Sequence, residues 1–211
     1  MRRIAALAGL FIVTGAFASP VLNLDGLSPD ATLFRLNQAE SDLAFEVRKM
    51  GFMSEKGRFA DVTATIYSDS PSLETIRMAT VIDVDSIVLS SEDKRQWLLG
   101  EDWFNAATYP EATFECADVT MTGPREAVAE GMMTIRGISQ PATFAITFDS
   151  NVIDSLRDDE VLSFEATGSF SRSAFGMTKM SGLLGDIVEL DFDGRFDRAS
   201  VSRAAPTEIP G

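Results

Sequence analysis

The sequence predicts an all-β domain of eight strands, mostly antiparallel to their neighbours, with one short helix. Three observations predict it. Apolar and polar residues alternate with period two along eight segments, the pattern of strands that bury one face. Turn chemistry, Gly123-Pro124-Arg125-Glu126 above all, joins segments over short distances. The alternation is interrupted by a helix pattern between Ser90 and Gly100. Such a series closes into a barrel or folds into a two-sheet sandwich, and pattern alone does not separate them.

In the first segment Leu43, Phe45 and Val47 alternate with Ala44, Glu46 and Arg48; in the second Val62, Ala64 and Ile66 alternate with Thr63 and Thr65. Ile76, Met78, Thr80, Ile82 and Val84 share one face of the third. In the fourth, Ala112, Phe114 and Cys116 face away from Glu111, Thr113 and Glu115. The fifth ends at Met133 and Ile135, and Arg136-Gly137-Ile138-Ser139-Gln140-Pro141 turns the chain into the sixth, where Phe144, Ile146 and Phe148 alternate with Thr143, Ala145 and Thr147. Phe164, Ala166, Gly168 and Phe170 share a face of the seventh, and Val188, Leu190 and Phe192 alternate with Glu189, Asp191 and Asp193 in the eighth. In the interruption, Ser90 can cap a helix whose first turn carries Glu92 and Asp93, with Trp97 and Leu98 or Leu99 packing inward.

Residues 1–18 read as a secretory signal: Arg2 and Arg3 are basic, Ile4 to Val13 are apolar, and Ala16-Phe17-Ala18 offers a cleavage site before Ser19. An uncleaved anchor is the alternative, and export is expected on both. The expected organisation is a domain over 19–198 and a tail over 199–211, where Pro206 and Pro210 occur without periodicity. Cys116 is the only cysteine, so no internal disulfide forms. The chain carries 18 Lys and Arg against 32 Asp and Glu, a formal charge of -14, which becomes -16 when Arg2 and Arg3 leave with the signal. That charge excludes nucleic acid as a partner and repels anionic lipid, so membrane contact is expected to be transient.

With no histidine in the chain, Ser-His-Asp and Cys-His catalysis and histidine-ligated zinc or haem are excluded. Cys116, beside Glu115 and Asp118 and in alternation with Phe114, reads as a buried, inert thiol. Asp83 with Asp85, and Asp191 with Asp193, stand at i and i+2 on strands and share a face. They read as solvated faces, because neither pair has a third ligand or a Gly-rich calcium loop. Asp154, Asp158, Asp159 and Glu160 read as an acidic loop. No metal and no catalytic residue is expected.

Asp102-Trp103-Phe104-Asn105, Tyr109-Pro110, Phe114 and Met133-Thr134-Ile135-Arg136-Gly137-Ile138-Ser139-Gln140-Pro141 follow one another in that order. Together they resemble the YceI family of periplasmic polyisoprenoid-binding barrels, in which an aromatic pair leads through Tyr/Phe-Pro into a strand and a Leu-Thr-Ile-Arg-Gly-Val-Thr-x-Pro hairpin follows. Arg172-Ser173-Ala174-Phe175-Gly176-Met177 resembles the family's Arg-Ser-Asp-Phe-Gly-Ile, with Ala174 for Asp. The resemblance runs from about Leu33 to Phe196. It implies an eight-stranded antiparallel lipocalin-like barrel, a periplasmic location, and an interior that carries an isoprenoid, a quinone or polyprenyl chain. The family's two early histidines are replaced by Glu40 and Lys49, so no head-group role transfers to those positions.

The chain has 15 Phe and 9 Met but two Trp and two Tyr, an excess of large apolar groups with no polar handle. Taken alone, that composition reads as a packed core before a pocket. With the resemblance, the expected ligand-lining residues are Phe45, Val47, Phe59, Ile66, Met78, Ile82, Phe114 and Met133, followed by Ile135, Phe144, Ile146, Phe164, Phe170, Phe175, Met177 and Leu190. Arg172 is expected to make a structural contact at the surface. The expected ligand is an isoprenoid or other amphiphilic lipid held noncovalently, with no cofactor. The competing expectation is a barrel filled by its own side chains whose acidic surface docks a membrane redox or transport partner. The oligomeric state is open, a dimer included.

Overall fold

Each period-two segment becomes a strand in the computed structural model, which describes residues 32–68, 76–158 and 160–199. The expected signal segment 1–18 lies outside the described residues, as does the expected tail apart from Ala199, which ends β11. The strands are β1 (Thr32–Leu36), β2 (Asp42–Lys49), β3 (Met53–Phe59), β4 (Val62–Ser68), β5 (Arg77–Asp83), β6 (Ile87–Val88), β7 (Glu111–Met121), β8 (Glu126–Ile135), β9 (Ile138–Phe148), β10 (Val161–Ser171) and β11 (Leu184–Ala199). The helices are α1 (Glu92–Leu99) and α2 (Val152–Asp158).

These eleven segments make eight barrel strands. β1 and β2 are one strand bent at a 3₁₀ turn over Gln38–Glu40, and both pair with β11: Leu33 stands opposite Ala199 and Val47 opposite Val188. β3 and β4 are one strand bent at Ala60 and Asp61, and β5 and β6 are one strand bent at a 3₁₀ turn over Val84–Ser86. Each strand is antiparallel to the next in sequence, and β11 returns to β1 and β2, which closes the barrel. The predicted eight-strand antiparallel barrel is therefore the observed one.

Three local expectations are corrected. The residue capping α1 is Ser91, not Ser90; its carbonyl accepts from Arg95 N–H and its hydroxyl makes no cap, while the Ser90 hydroxyl faces Glu55. Trp97 does not pack inward but is 44% exposed, its ring 4.8 Å from that of the buried Trp103. Asp154 and Asp158 lie on a second helix, α2, whose buried Val152, Ser155 and Leu156 seat it against the barrel; Asp159 lies outside the described residues. A seven-residue helix is too short for its 3.6 period to stand out from a loop.

Pairing between β5 and β7 stops at Asp83 opposite Glu111, and β6 pairs only with β3 among the described residues. α1 covers the resulting break. From that helix Arg95 donates from Nε to the Ile87 carbonyl (3.1 Å) and from Nη2 to the Asp85 carbonyl (2.5 Å), satisfying backbone acceptors that have no strand partner. The turns after the helix carry Trp103 and Phe104 into the barrel core. At Arg136 and Gly137 both φ values are positive, 54° and 70°, as a two-residue hairpin turn between Ile135 and Ile138 requires.

Candidate functional site

The barrel interior holds two apolar cavities, of about 90 and 60 Å³. Leu43, Ile82, Phe114, Met133 and Leu190 line both, and so form the partition between them. Every one of the eight barrel strands supplies an apolar side chain to these walls, because antiparallel register places inward residues opposite one another: Phe45 opposite Leu190, Ile82 opposite Ala112, Phe114 opposite Met133 and Phe144 opposite Gly168. Glycine accommodates the rings. A Cβ on Gly168 would lie 2.6 Å from the Phe144 ring, and one on Gly57 would lie 2.4 Å from that of Phe45, so both rings lie in recesses of the wall.

Of the expected lining residues, Phe45, Val47, Phe59, Ile135, Phe170 and Met177 line the larger cavity. Met78, Phe144, Ile146 and Phe164 line the smaller one, and Ile82, Phe114, Met133 and Leu190 stand between. Two expected residues line neither. Ile66 is buried in the core cluster opposite Phe34 and Met78. Phe175 is 1% exposed in a 3₁₀ turn over Arg172–Phe175 and packs edge-on against Phe170 at 5.5 Å, supporting a lining residue from behind.

Several lining residues went unforeseen. Leu43, Ala112 and Val188 share the faces of Phe45, Phe114 and Leu190, so strand parity could have found them. Leu98 takes the inward helix position expected of it or Leu99, whereas Trp103 and Phe104 come from the irregular turns after α1, where no period reports direction.

Arg172 makes the structural contact expected of it, but in the interior. It is not a surface arginine: it is 3% exposed and lines the larger cavity. Its guanidinium donates to four backbone carbonyls, from Nε to Gly185 (2.8 Å), from Nη1 to Met177 and to Lys179 (2.8 Å), and from Nη2 to Leu184 (3.1 Å). It thereby ties the irregular segment 177–185 across one end of the barrel. Its Cζ lies 5.4 Å from the centre of the Trp103 ring, within cation–π range. Burial pulls its pKa down and Asp186 opposes that; Asp186 is itself held low, first by a hydrogen bond from the Ser171 hydroxyl and then by bonds from Ser173.

The positions of the absent histidines differ in kind. Glu40 lies on the outer surface, 2.7 Å from Arg195. Lys49 stands opposite Leu184 and Met53 and two residues past Val47, on the inward parity at the rim of the larger cavity.

Polar chemistry elsewhere is sparse. Asp83 and Asp85 do not share a strand face, because Asp85 lies in the 3₁₀ turn; its N–H donates to the Asp83 carboxylate (2.8 Å) and its own carboxylate pairs with Arg95. Asp191 and Asp193 do share an exposed outer face. Among the described residues no group of three or more His, Cys, Asp or Glu side chains is placed to hold a metal ion.

Cys116 is buried on β7, where burial pushes its pKa up to about 11. In the folded protein a thiol reagent at pH 8 is expected to react about 100-fold more slowly than with the unfolded chain, from thiolate fraction alone. Rapid native-state labelling would contradict this burial. The linkage has a definite sign: the raised folded pKa contributes stability that is present below the unfolded thiol pKa and is lost as pH rises through about 11.

The family model described as YceI-like domain matches residues 34–196. Among curated relatives, UPF0312 protein SA2479 of Staphylococcus aureus (strain N315) is 25% identical over 169 residues, covering 80% of this chain and 96% of the relative. UPF0312 protein PputW619_0484 of Pseudomonas putida (strain W619) is 24% identical over 147 residues, covering 70% and 76%. Among solved structures, Burkholderia cenocepacia BcnA superposes with a TM-score of 0.68 at 23% identity, covering 76% of this chain and 98% of that one. A polyisoprenoid binding domain from Saccharophagus degradans, implicated in plant cell wall breakdown, superposes with a TM-score of 0.61 at 14% identity, covering 79% and 98%. The family match takes in all eight barrel strands and both cavities, and the chain belongs to the YceI-like domain family.

Proposed function

We propose that this chain is a non-catalytic, periplasmic lipid-binding protein that sequesters or carries an isoprenoid, quinone or polyprenyl, in its barrel. The observation that carries this reading is the pair of interior cavities walled by apolar side chains from all eight strands. The polyisoprenoid-binding domain of Saccharophagus degradans, which shares the fold, supports it. Such a ligand needs few polar contacts, since each buried CH₂ contributes about 0.8 kcal/mol.

The two voids together fall below the roughly 300–1,000 Å³ of typical ligand pockets, so loading requires the partition to move. Met133 is suited to this, having a flexible unbranched chain, and its displacement with Phe114 joins the two voids into one channel. Exposed Met50, Phe52 and Met53 at the β2–β3 turn, with Leu183 hydrogen-bonded to Met50, form an apolar rim beside Leu184 at the larger cavity. This rim favours brief contact with a membrane despite the chain's negative charge.

The test is a titration of lipid-free protein with benzoquinones of increasing alkyl tail. Each added methylene is expected to lower Kd about fourfold until the channel is full. Affinity independent of tail length would overturn the reading.

A second reading is a filled barrel that docks a basic redox or transport partner at a membrane. Its support is a trough of about 1040 Å³ on the outer face of β2, β9, β10 and β11, with Ala44 and Ala145 along it and Asp42, Glu46, Glu189, Asp191 and Asp193 around it, beside Lys56, which pairs with Glu46 at 2.8 Å. The same titration separates the readings, because a filled barrel binds no tail of any length.

A further inference from the structure

Of the nine large apolar side chains exposed among the described residues, five gather at one end of the barrel: Met50, Phe52, Met53, Leu183 and Ile187. β2 ends there and β3 and β11 begin there. Lys49 pairs with both Met53 and Leu184, Met50 N–H donates to the Leu183 carbonyl (2.8 Å), and Ile187 stands opposite Ser171 at the end of β10. Phe52, at the tip of the turn, is 80% exposed.

That turn has the wrong chemistry for a solvated one. Turns favour small or polar residues, and two other hairpin turns of this barrel keep to them, with Gly123-Pro124-Arg125 between β7 and β8 and Arg136-Gly137 between β8 and β9. Between β2 and β3 stands Met50-Gly51-Phe52. Met50 has a φ of 52°, a left-handed conformation that suits Gly or Asn and strains a large side chain. Its side chain is mostly in solvent, so packing within the chain does not account for it.

The charge pattern is also local. No Asp or Glu occurs from Val47 to Ser54 or from Ser173 to Gly185, in a chain that has 32 of them. Arg48 and Lys49 make no salt bridge among the described residues. The acids just beyond are committed, Glu55 to Lys94 and Asp186 to Ser171 and Ser173. Between the two segments lies an open cleft of about 530 Å³, bordered by Arg48, Met50, Thr178, Ser181 and Leu183, part apolar and part polar.

We infer that this end is a membrane-docking foot: Met50, Phe52, Met53 and Leu183 enter the headgroup region of a phospholipid bilayer, and Arg48 and Lys49 meet the phosphates of its anionic lipids. Apolar tips flanked by cations are what an interfacial anchor needs. The acidic wall of the barrel does not prevent docking, because charge interactions at physiological salt decay over about 8 Å and the foot meets the surface first. A second copy of this chain fits the end poorly, since a two-fold contact would bring both sets of cations together. The inference rests on the lipid-binding reading only for its purpose, which is to bring the rim of the larger cavity at Leu184 to the lipid. The docking itself is independent of what the barrel holds.

The test is co-flotation of the protein with phosphatidylcholine vesicles that contain or lack phosphatidylglycerol. Native protein is expected to bind the anionic vesicles about 25-fold more tightly, at about fivefold for each of the two cations, and Arg48→Gln with Lys49→Gln to remove that preference. Phe52→Ser is expected to weaken binding to anionic vesicles about 10-fold. Met50→Asn, which suits the left-handed turn and so keeps the fold, is expected to weaken it as well. All these variants are expected to bind quinone in solution as the native chain does, because none of the replaced side chains lines either cavity. A native chain that floats with neither vesicle, undiminished binding by Phe52→Ser, an unaltered preference in the double variant, or a solution dimer that Phe52→Ser dissociates overturns the inference and leaves the lipid-binding reading in place. A protein that docks as described and refuses quinone upholds the foot and overturns that reading.

Discussion

Replacing Arg172 by methionine is expected to lower unfolding stability by about 3–5 kcal/mol, the range for breaking a buried charged network by removing one partner. The change keeps a flexible, unbranched stem, shortens it, and removes the donors for four carbonyls in the segment 177–185. Each buried carbonyl left unpaired carries its own desolvation penalty, and the charge of Asp186 loses a nearby counterpart. Lysine is expected to recover little, because an ammonium group cannot reproduce the planar fork that reaches acceptors on both sides of the guanidinium. A urea titration is the measurement: the midpoint falls with the slope unchanged if the loss is one of stability alone. A shift worth less than about 0.5 kcal/mol, the scale of ordinary surface substitutions, would show that the arginine is a surface contact after all.

Phe114→Ala is expected to weaken the empty protein and strengthen its hold on long ligands. Phe114 borders both voids, its ring lies 4.9 Å from that of Phe144 in an edge arrangement, and Gly131 makes room beneath it. Removing a buried phenylalanine ring costs about 3–5 kcal/mol, most where the site cannot collapse. A closed barrel collapses poorly, so the volume is expected to persist and to join the cavities. The empty variant then melts lower than the native chain, while a long-tailed quinone raises its Tm more than it raises that of the native chain. Loss of long-tail binding in a folded Phe114→Ala would mean that the ring is a contact the ligand needs and not a barrier it displaces.

The inward faces of β2, β5 and β7 to β11 were legible because their alternation obeys the simple rule of one buried face. β3 was not, for a physical reason. Glu55 holds an inward position opposite Val47, yet it is charged because α1 stands over it and offers Lys94 at 2.5 Å. The period fails wherever a strand faces the helix and not the lumen. Trp97 and Trp103 show the same limit: one is half in solvent and the other is in the wall, and only the turns after α1 decide which. Arg172 reads as exposed in sequence because its carbonyl partners come from an irregular segment with no pattern to announce it. The choice of barrel over sandwich came from the family landmarks, since closure between β11 and the first strand leaves no trace in local alternation.

The partition explains how an interior rich in phenylalanine can serve as both core and binding site. Empty, the barrel is stabilised by Phe164 stacked on Phe196 at 5.3 Å and by the edge contacts among its other rings. Loaded, it exchanges some of those contacts for contacts with the ligand, so the net gain from a short ligand is small and that from a long one is larger. This makes tail length the basis of selection.

The most direct test is mass spectrometry of an organic extract of the protein, purified without detergent from its own host and compared with a denatured-protein blank. The account predicts a stoichiometric isoprenoid. A protein that is reproducibly empty, and that also refuses quinone in titration, would contradict it.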